Sequence, residues 1–328
     1  MFPLIVSLFF AFLLSLIVIF WLRGFSLRKR VLLADNGVPV TAGLGFGLVF
    51  VLVTAVGLKL AGIFSSEAKG VMLASSFMLL WGVIDDLKEL SIASKFFVQI
   101  ISAVLLAILG VRTFIVGIGE LMNIIITIFW VLTITNAFNH LDILDGLAAA
   151  VAFFSCLSLA LIAVLGKQLQ PAFLAMTAAA CVAAFLFFNL PPAKVYMGNA
   201  GSHFLGFLLA SIALLISYAP LERRMALATP IFILGVPILD TAFLALMRLH
   251  KKISPFSKSN DHIAMRLLAK GYSKKKALFC LVLWVVFFSL GAVVINQAPN
   301  KIGLAVAVFL ILVSIFWLKG LSKIKTND

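Results

Sequence analysis

Carboxylates are scarce in this chain, twelve among 328 residues, and four of them fall in two short polar islands. Asp85 and Asp86 are adjacent, in Trp81-Gly82-Val83-Ile84-Asp85-Asp86-Leu87-Lys88. Asp142 and Asp145 close a series, Asn136, Asn139, Asp142, Asp145, that recurs every third residue. On a helical turn or short helix this spacing puts two amides and two acids on roughly one face. Such a stripe suits a hard cation and the polyanion it accompanies. Mg²⁺ takes a few carboxylate oxygens and completes its shell with water and substrate phosphates. The plainer reading is a set of solvated helix ends or caps. Four acids interleaved with regularly spaced Asn favour the metal-phosphate site.

Two more islands follow. In Asn189 to Ser202, the pair Pro191-Pro192 stops a helix, and Gly198 and Gly201 let backbone approach a ligand closely. Gly201-Ser202 then opens the next helix, whose first amides favour phosphate. Taken alone, this stretch reads equally well as a punctuated loop. The last island, Ser254 to Leu268, lies in a basic region with nine Lys and Arg between Arg248 and Lys276. That charge suits a nucleotide diphosphate, anionic lipid head groups, or topology alone. His262 and Arg266 are spaced i, i+4 and share a face if the segment is helical.

The elements that must position these islands are apolar. The composition is 63% hydrophobic and 12% charged, with a mean hydropathy of +1.20. This excludes a soluble enzyme, a disordered chain and a secreted disulfide scaffold, and leaves an all-α, polytopic membrane protein. Eleven candidate spans are expected, at 3–22, 40–63, 69–84, 95–110, 118–135, 146–165, 171–190, 203–219, 227–248, 277–296 and 302–318, with ten as the alternative. The whole chain, 1–328, reads as one membrane-embedded domain with its longest polar loop at about 249–276. Cys156, Cys181 and Cys280 each sit in an apolar run, so neither disulfides nor zinc are expected.

The net charge of +14 suggests the bias of basic residues toward cytoplasmic loops rather than nucleic acid. On the eleven-span reading nineteen Lys and Arg fall on one side and seven on the other. The richer side is assigned to the cytoplasm, with the N-terminus outside and the C-terminus inside. All four polar islands then open to that basic face.

These residues resemble the polyprenyl-phosphate N-acetylhexosamine-1-phosphate transferase superfamily. Pro39 to Gly45 resembles its early Pro-x-x-Gly-Gly segment. Asp85-Asp86, with Lys95 and Gln99 downstream, resembles its Asp-Asp motif and the helix after it. Asn136 to Leu147 is similar to Asn-x-x-Asn-x-x-Asp-Gly-x-Asp-Gly-Leu. Asn189 to Gly206 is similar to Asn-x-Pro-Pro-Ala-Lys…Met-Gly-Asp-x-Gly-Ser…Leu-Gly. Gly235 to Arg248, with Pro237 and Asp240, followed by Ser254-Pro255-Phe256, resembles the segment before a His-rich loop. Each motif is weak alone; five in order, over nearly the whole chain, are specific.

The resemblance implies transfer of a sugar-1-phosphate, N-acetylhexosamine-1-phosphate in the first instance, from a UDP-sugar to undecaprenyl phosphate, with release of UMP. It implies Mg²⁺, with Mn²⁺ as the alternative ion, and a bacterial inner membrane with the site on the cytoplasmic face. Membrane lipids and a homodimer are the other partners it brings into view; nucleic acid is not one. Asp85, Asp86, Asp142, Asp145 and His262 are the implied catalytic residues, and Asn199, Asp85 and Asp142 the implied metal ligands. Asn136, Asn139, Lys95, Lys194, Gly201, Ser202 and Arg266 are the implied substrate contacts.

Three departures from the pattern stand in this sequence. The Asp of Met-Gly-Asp is Asn199, an oxygen ligand without charge. Ala264 and Met265 occupy the positions of the later histidines after His262. Ile143 replaces the Gly of Asp-Gly-x-Asp. Two other functions stay open on the sequence alone: a transporter or flippase for a lipid-linked substrate, and an inactive scaffold of the same fold. Against the transporter, the acids sit at span ends and no internal repeat is visible.

Overall fold

The computed structural model describes residues 2–218, 223–254 and 259–326. It is helical, with only isolated backbone bridges besides the helices among the described residues. In chain order come α1 (Phe2–Lys29), α2 (Ala42–Leu60), α3 (Ser66–Leu87), α4 (Ile92–Ile108), α5 (Glu120–Leu141) and α6 (Leu147–Leu165). They are followed by α7 (Leu169–Asn189), α8 (Gly198–Leu215), a 3₁₀ turn (Arg224–Ala228), α9 (Thr229–Ile233) and α10 (Gly235–His250). The last are α11 (Ile263–Ala269), α12 (Lys274–Gln297) and α13 (Asn300–Ser322). Serine side chains open three of them: Ser65, Ser91 and Ser273 accept the amides of Ala68, Ser94 and Lys276.

Each of the eleven expected spans falls on helix, but they are not equivalent. Among the described residues, nine helices are long and apolar enough to cross a membrane. The expected fourth span is α4, which has only 17 residues. The expected ninth is broken: the Arg224–Ile233 and Gly235–His250 pair bends by 70° and makes a tenth crossing only if both halves count as one. Pro237 accounts for the break. It has no N–H to give to Ile233, and its ring clashes with that carbonyl in a continuous helix. At the bend, a Cβ on Gly235 would lie 2.4 Å from Phe288, so α12 packs directly on the backbone there.

Helix α8 is the hub, with every residue from Ala200 to Ala213 buried. Three neighbours meet it backbone to backbone. A Cβ on Gly43 of α2 would lie 2.2 Å from the Gly201 nitrogen, and one on Gly82 of α3 would lie 2.5 Å from the Ala200 Cα. On the third side, a Cβ on Gly206 of α8 itself would lie 2.7 Å from the Thr135 Cα of α5. Small residues permit such close packing where lipid supplies no hydrophobic drive between helices. By contrast α1 and α13 expose Phe9, Phe20, Trp21 and Phe316, as lipid-facing helices do. The expected loop at 249–276 is partly ordered helix, α11, packed against α12 and α13. Pro255, Phe256 and the rest of 255–258 lie outside the described residues.

Candidate active site

The C-terminal ends of α3 and α5 and the N-terminal end of α8 meet at one end of the bundle and enclose a polar cavity of about 480 Å³. Its wall includes Asp86, Asn139, Asp142, Asp145, Tyr196, Gly198, Asn199 and Ser202. The close Gly82–Ala200 contact brings α3 near enough for Asp86 to grip the start of α8. Its two oxygens accept the Asn199 amide at 2.8 Å and the Ala200 amide at 3.0 Å. A carboxylate here also meets the positive end of the α8 dipole. Gly198 has φ +69°, and a Cβ on it would lie 2.6 Å from Asp86 Oδ2, so only glycine fits.

This geometry revises the expected phosphate cradle. Helix α8 starts at Gly198, before Gly201-Ser202, and Asp86 takes two of its first amides. Gly201 lies against Gly43 and Met197, so its missing side chain serves helix packing. Ser202 does face the cavity and accepts Asn139 Nδ2 at 3.0 Å. The same Asn139 amide donates to Asn199 Oδ1 at 3.2 Å, so these two of the wall's three asparagines are tied together.

The three-residue series does not lie on one helix. Helix α5 ends at Leu141, and Asp142 caps it with φ −80° and ψ 52°. The chain then turns through Gly146, φ +79°, whose amide is held by the buried Asn189 side chain at 3.0 Å. Asn189 Nδ2 also donates to the Val195 carbonyl, tying the 142–146 turn to the 190–197 loop. The turn still brings Asp142 and Asp145 to the same wall as Asn139. Burial, with Asp86 and Asp145 nearby, pushes the Asp142 carboxyl up to about 7. Asp145 faces the Ala193 amide at 3.4 Å and Lys274 Nζ at 3.5 Å.

Helix α4 takes one member out of each carboxylate-bearing island. Lys95 and Gln99, four residues apart on one face, reach Asp85 and Asn136 respectively. Asp85 pairs with Lys95 at 2.7 Å and accepts the Leu90 amide at 2.9 Å. Asn136 Nδ2 donates to Gln99 Oε1 at 2.6 Å. Neither Asp85 nor Asn136 lines the cavity. Lys194 is exposed, and its carbonyl accepts Arg23 Nε at 3.4 Å.

His262 and Arg266 part company despite their spacing. His262, the N-cap of α11, bonds Asp240 and lies beside His140 of α5, with ring centroids 6.4 Å apart. Arg266 is buried. Its guanidinium donates to Asp261 Oδ1 at 2.6 Å and to the carbonyls of Leu321, Ser322 and Ile324. That arrangement fastens the end of α13 to α11 and leaves the guanidinium turned away from the cavity. Sequence reasoning did not single out Tyr196 or His140. Tyr196 is one residue before the Met-Gly pair, and its hydroxyl is held by Asn36 Nδ2 at 2.9 Å.

The donor set fits a magnesium-type ion better than a closed metal cage. Among the described residues no three of His, Cys, Asp and Glu are grouped to hold a metal by themselves. The cavity instead offers carboxylate and amide oxygens from Asp86, Asp142, Asp145, Asn139 and Asn199, with room for further oxygen ligands. Mg²⁺ binds in this manner, through one or two carboxylates completed by water and phosphate.

The family model for glycosyl transferase family 4 matches residues 68–217, a range that holds Asp86, Asn139, Asp142, Asp145, Asn199 and Ser202. A probable undecaprenyl-phosphate N-acetylglucosaminyl 1-phosphate transferase of Bacillus subtilis is 31% identical over 287 residues, 85% of this chain and 79% of that protein. The chain belongs to glycosyl transferase family 4. This family 4 protein is also 30% identical over 213 residues to an undecaprenyl-phosphate alpha-N-acetylglucosaminyl 1-phosphate transferase of Thermotoga maritima, covering 65% of this chain and 66% of that one. A decaprenyl-phosphate N-acetylglucosaminephosphotransferase of Mycolicibacterium smegmatis is 29% identical over 259 residues, 70% of this chain and 64% of that one.

Proposed function

We propose that this family 4 protein transfers N-acetylhexosamine-1-phosphate from a UDP-sugar to undecaprenyl phosphate, releasing UMP and starting a lipid-linked cell-envelope glycan. The observation that carries the reading is the single cavity in which Asp86, Asn139, Asp142, Asp145 and Asn199 meet at one end of an apolar bundle. A water-soluble donor enters such a cavity from the aqueous side, while the hydrocarbon tail of the acceptor stays in the bilayer. The excess of basic residues on that side supports a cytoplasmic mouth in the bacterial inner membrane.

In this reading an oxygen of the lipid phosphate attacks the phosphorus that carries the sugar. The bond between the two donor phosphates breaks, and UMP departs with its electron pair. Two anions must approach, so the barrier is set by alignment and charge. Asp142, Asn199 and Asp86 would hold Mg²⁺, or Mn²⁺ in its place; bound there, the ion would supply charge neutralisation of the phosphate oxygens. Asp86 also fixes the start of α8, which sets where Asn199 and Ser202 point. Asn139 orders those two side chains. Asp85, held by Lys95, anchors the α3–α4 turn behind Asp86. Lys274, beside Asp145, lies near enough to steer an incoming anion.

The test is direct. Purified protein in detergent is given radiolabelled UDP-GlcNAc, undecaprenyl phosphate and Mg²⁺, and the organic phase is searched for lipid-linked sugar. Product that disappears with EDTA and in Asp142→Asn supports the proposal. Absence of product with UDP-GlcNAc and with other UDP-N-acetylhexosamines would refute it.

A further inference from the structure

Outside the lining of the cavity, α10 carries a buried carboxylate with two well-formed bonds. Asp240 Oδ2 lies 2.8 Å from His262 Nδ1, and Asp240 Oδ1 accepts the Ile263 amide at 2.8 Å. Asp240 is 2% exposed and His262 6%. The carboxylate grips both the ring and the backbone that follows it, so ring plane and main chain are set together. A carboxylate oxygen can only accept, so against an ionised Asp240 the bond assigns the proton to Nδ1 of His262. Nε2 is then the ring nitrogen left for a ligand. The neighbouring ring is His140, which follows Asn139 of the cavity wall and precedes Asp142 by two residues. His140 Nδ1 is buried and lacks a hydrogen-bond partner in the fold. Two imidazoles thus stand together at the end of α5, next in the chain to a residue of the cavity wall, one braced by an acid and one without a partner at Nδ1.

We infer that Asp240 is a positioning residue that acts through His262, holding the imidazole so that Nε2 alone meets the phosphates of a sugar nucleotide. The inference rests on the proposed sugar-phosphate transfer and deepens it by naming what orients His262. It does not require Asp240 to touch substrate. A carboxylate behind a functional imidazole fixes tautomer and ring angle, and losing it costs roughly ten- to a hundredfold where the imidazole binds a metal, the best-measured case of such bracing.

A double-mutant cycle separates this role from support of the fold. Steady-state rates with UDP-GlcNAc are measured for the parent, Asp240→Asn, His262→Asn and the double variant. Asp240→Asn is expected to lower kcat/KM for UDP-GlcNAc roughly tenfold or more, with KM for undecaprenyl phosphate unchanged. In the His262→Asn background the same change is expected to cost less than about twofold. An equal loss in both backgrounds, or no loss in either, overturns the inference. The second measurement needs no Asp240 variant. In ¹⁵N-histidine-labelled parent protein, the ring signals missing from His262→Asn are expected to report a protonated Nδ1. Addition of UDP-GlcNAc with Mg²⁺ is expected to move Nε2. An unprotonated Nδ1, or a ligand shift confined to Nδ1, overturns the assignment. If the parent makes no lipid-linked sugar, the proposed transfer fails, and the Nδ1 signal still decides the orientation.

Discussion

Asp86 and Asn199 come from helices far apart in the chain, yet the Asp86 carboxylate accepts the Asn199 amide at 2.8 Å while both side chains line one cavity. The acid that would serve the chemistry therefore also caps the helix that carries its neighbour. Substitution at either place acts on both geometry and charge.

The α3–α8 seam is the first place to test this. Gly82→Ala would put a Cβ 2.5 Å from the Ala200 Cα, and the contact is backbone, which cannot rotate away. Overpacking of this kind costs typically 1–3 kcal/mol. We expect a lower unfolding temperature in detergent and at least tenfold less transfer, since α3 must retreat and loosen the Asp86 grip. Gly320→Ala, which has open space, serves as the control and should leave both unchanged.

Asp142 predicts a pH dependence. Its folded pKa is raised to about 7 by burial and by Asp86 and Asp145, so below that pH a proton competes with a cation for the same oxygens. A group raised in this way gains affinity for a metal as pH climbs and loses it as pH falls. The apparent Mg²⁺ affinity, from titrations of turnover at pH 6 and pH 8, should tighten roughly tenfold across that interval. Asp145→Asn removes one of the nearby negative charges and should shift the midpoint downward.

Asn199→Asp adds a charged oxygen to the cavity wall. We expect Mg²⁺ affinity at pH 8 to be preserved or to rise, because the new carboxylate keeps the acceptor role toward Asn139 and adds charge. Magnesium titration of turnover in both proteins checks it. Turnover that becomes independent of metal would show that Asn199 stands outside the ion's shell.

Arg266 tests fold against binding. Burial alone would raise the Asp261 carboxyl, but Lys251 and Arg266 hold it below the usual carboxylate range. Removing Arg266 takes one charged partner from that buried acid and leaves it Lys251 and the Thr326 hydroxyl, which costs about 3 kcal/mol or more. We expect Arg266→Ala to unfold at markedly lower temperature, with KM for UDP-GlcNAc nearly unchanged in the folded fraction. A large KM change with unaltered stability would return Arg266 to the donor site.

Much of this arrangement was legible before the fold was known. Apolar runs located every long helix because lipid-exposed and buried faces are both apolar, and length alone then separates span from loop. The polar islands were conspicuous for the converse reason: Asp86, Asn139, Asp142, Asp145 and Asn199 are exceptions in their surroundings, and they do share a cavity. Less legible was which neighbour claims which polar group. Spacing put Asn136 with Asn139, but Gln99 of α4 holds it; adjacency put Asp85 with Asp86, but Lys95 holds it. Periodicity counts along one chain segment and is silent about the segment opposite. The partners of Gly201 and Arg266 were hidden for the same reason, since Gly43 and the end of α13 are remote in sequence. The 70° break between α9 and α10 had a visible cause in Pro237, but apolar length masked it.

The glycine-lined seams around α8 carry a consequence for how this protein can diversify. Where main chain rests on main chain, there is no side chain to enlarge, trim or reshape, so the seat of α8 against α2, α3 and α5 is fixed. Under the proposed transfer, a change of sugar would therefore be written in the turns that bear Tyr196, Ile143 and Asp145, which do line the cavity.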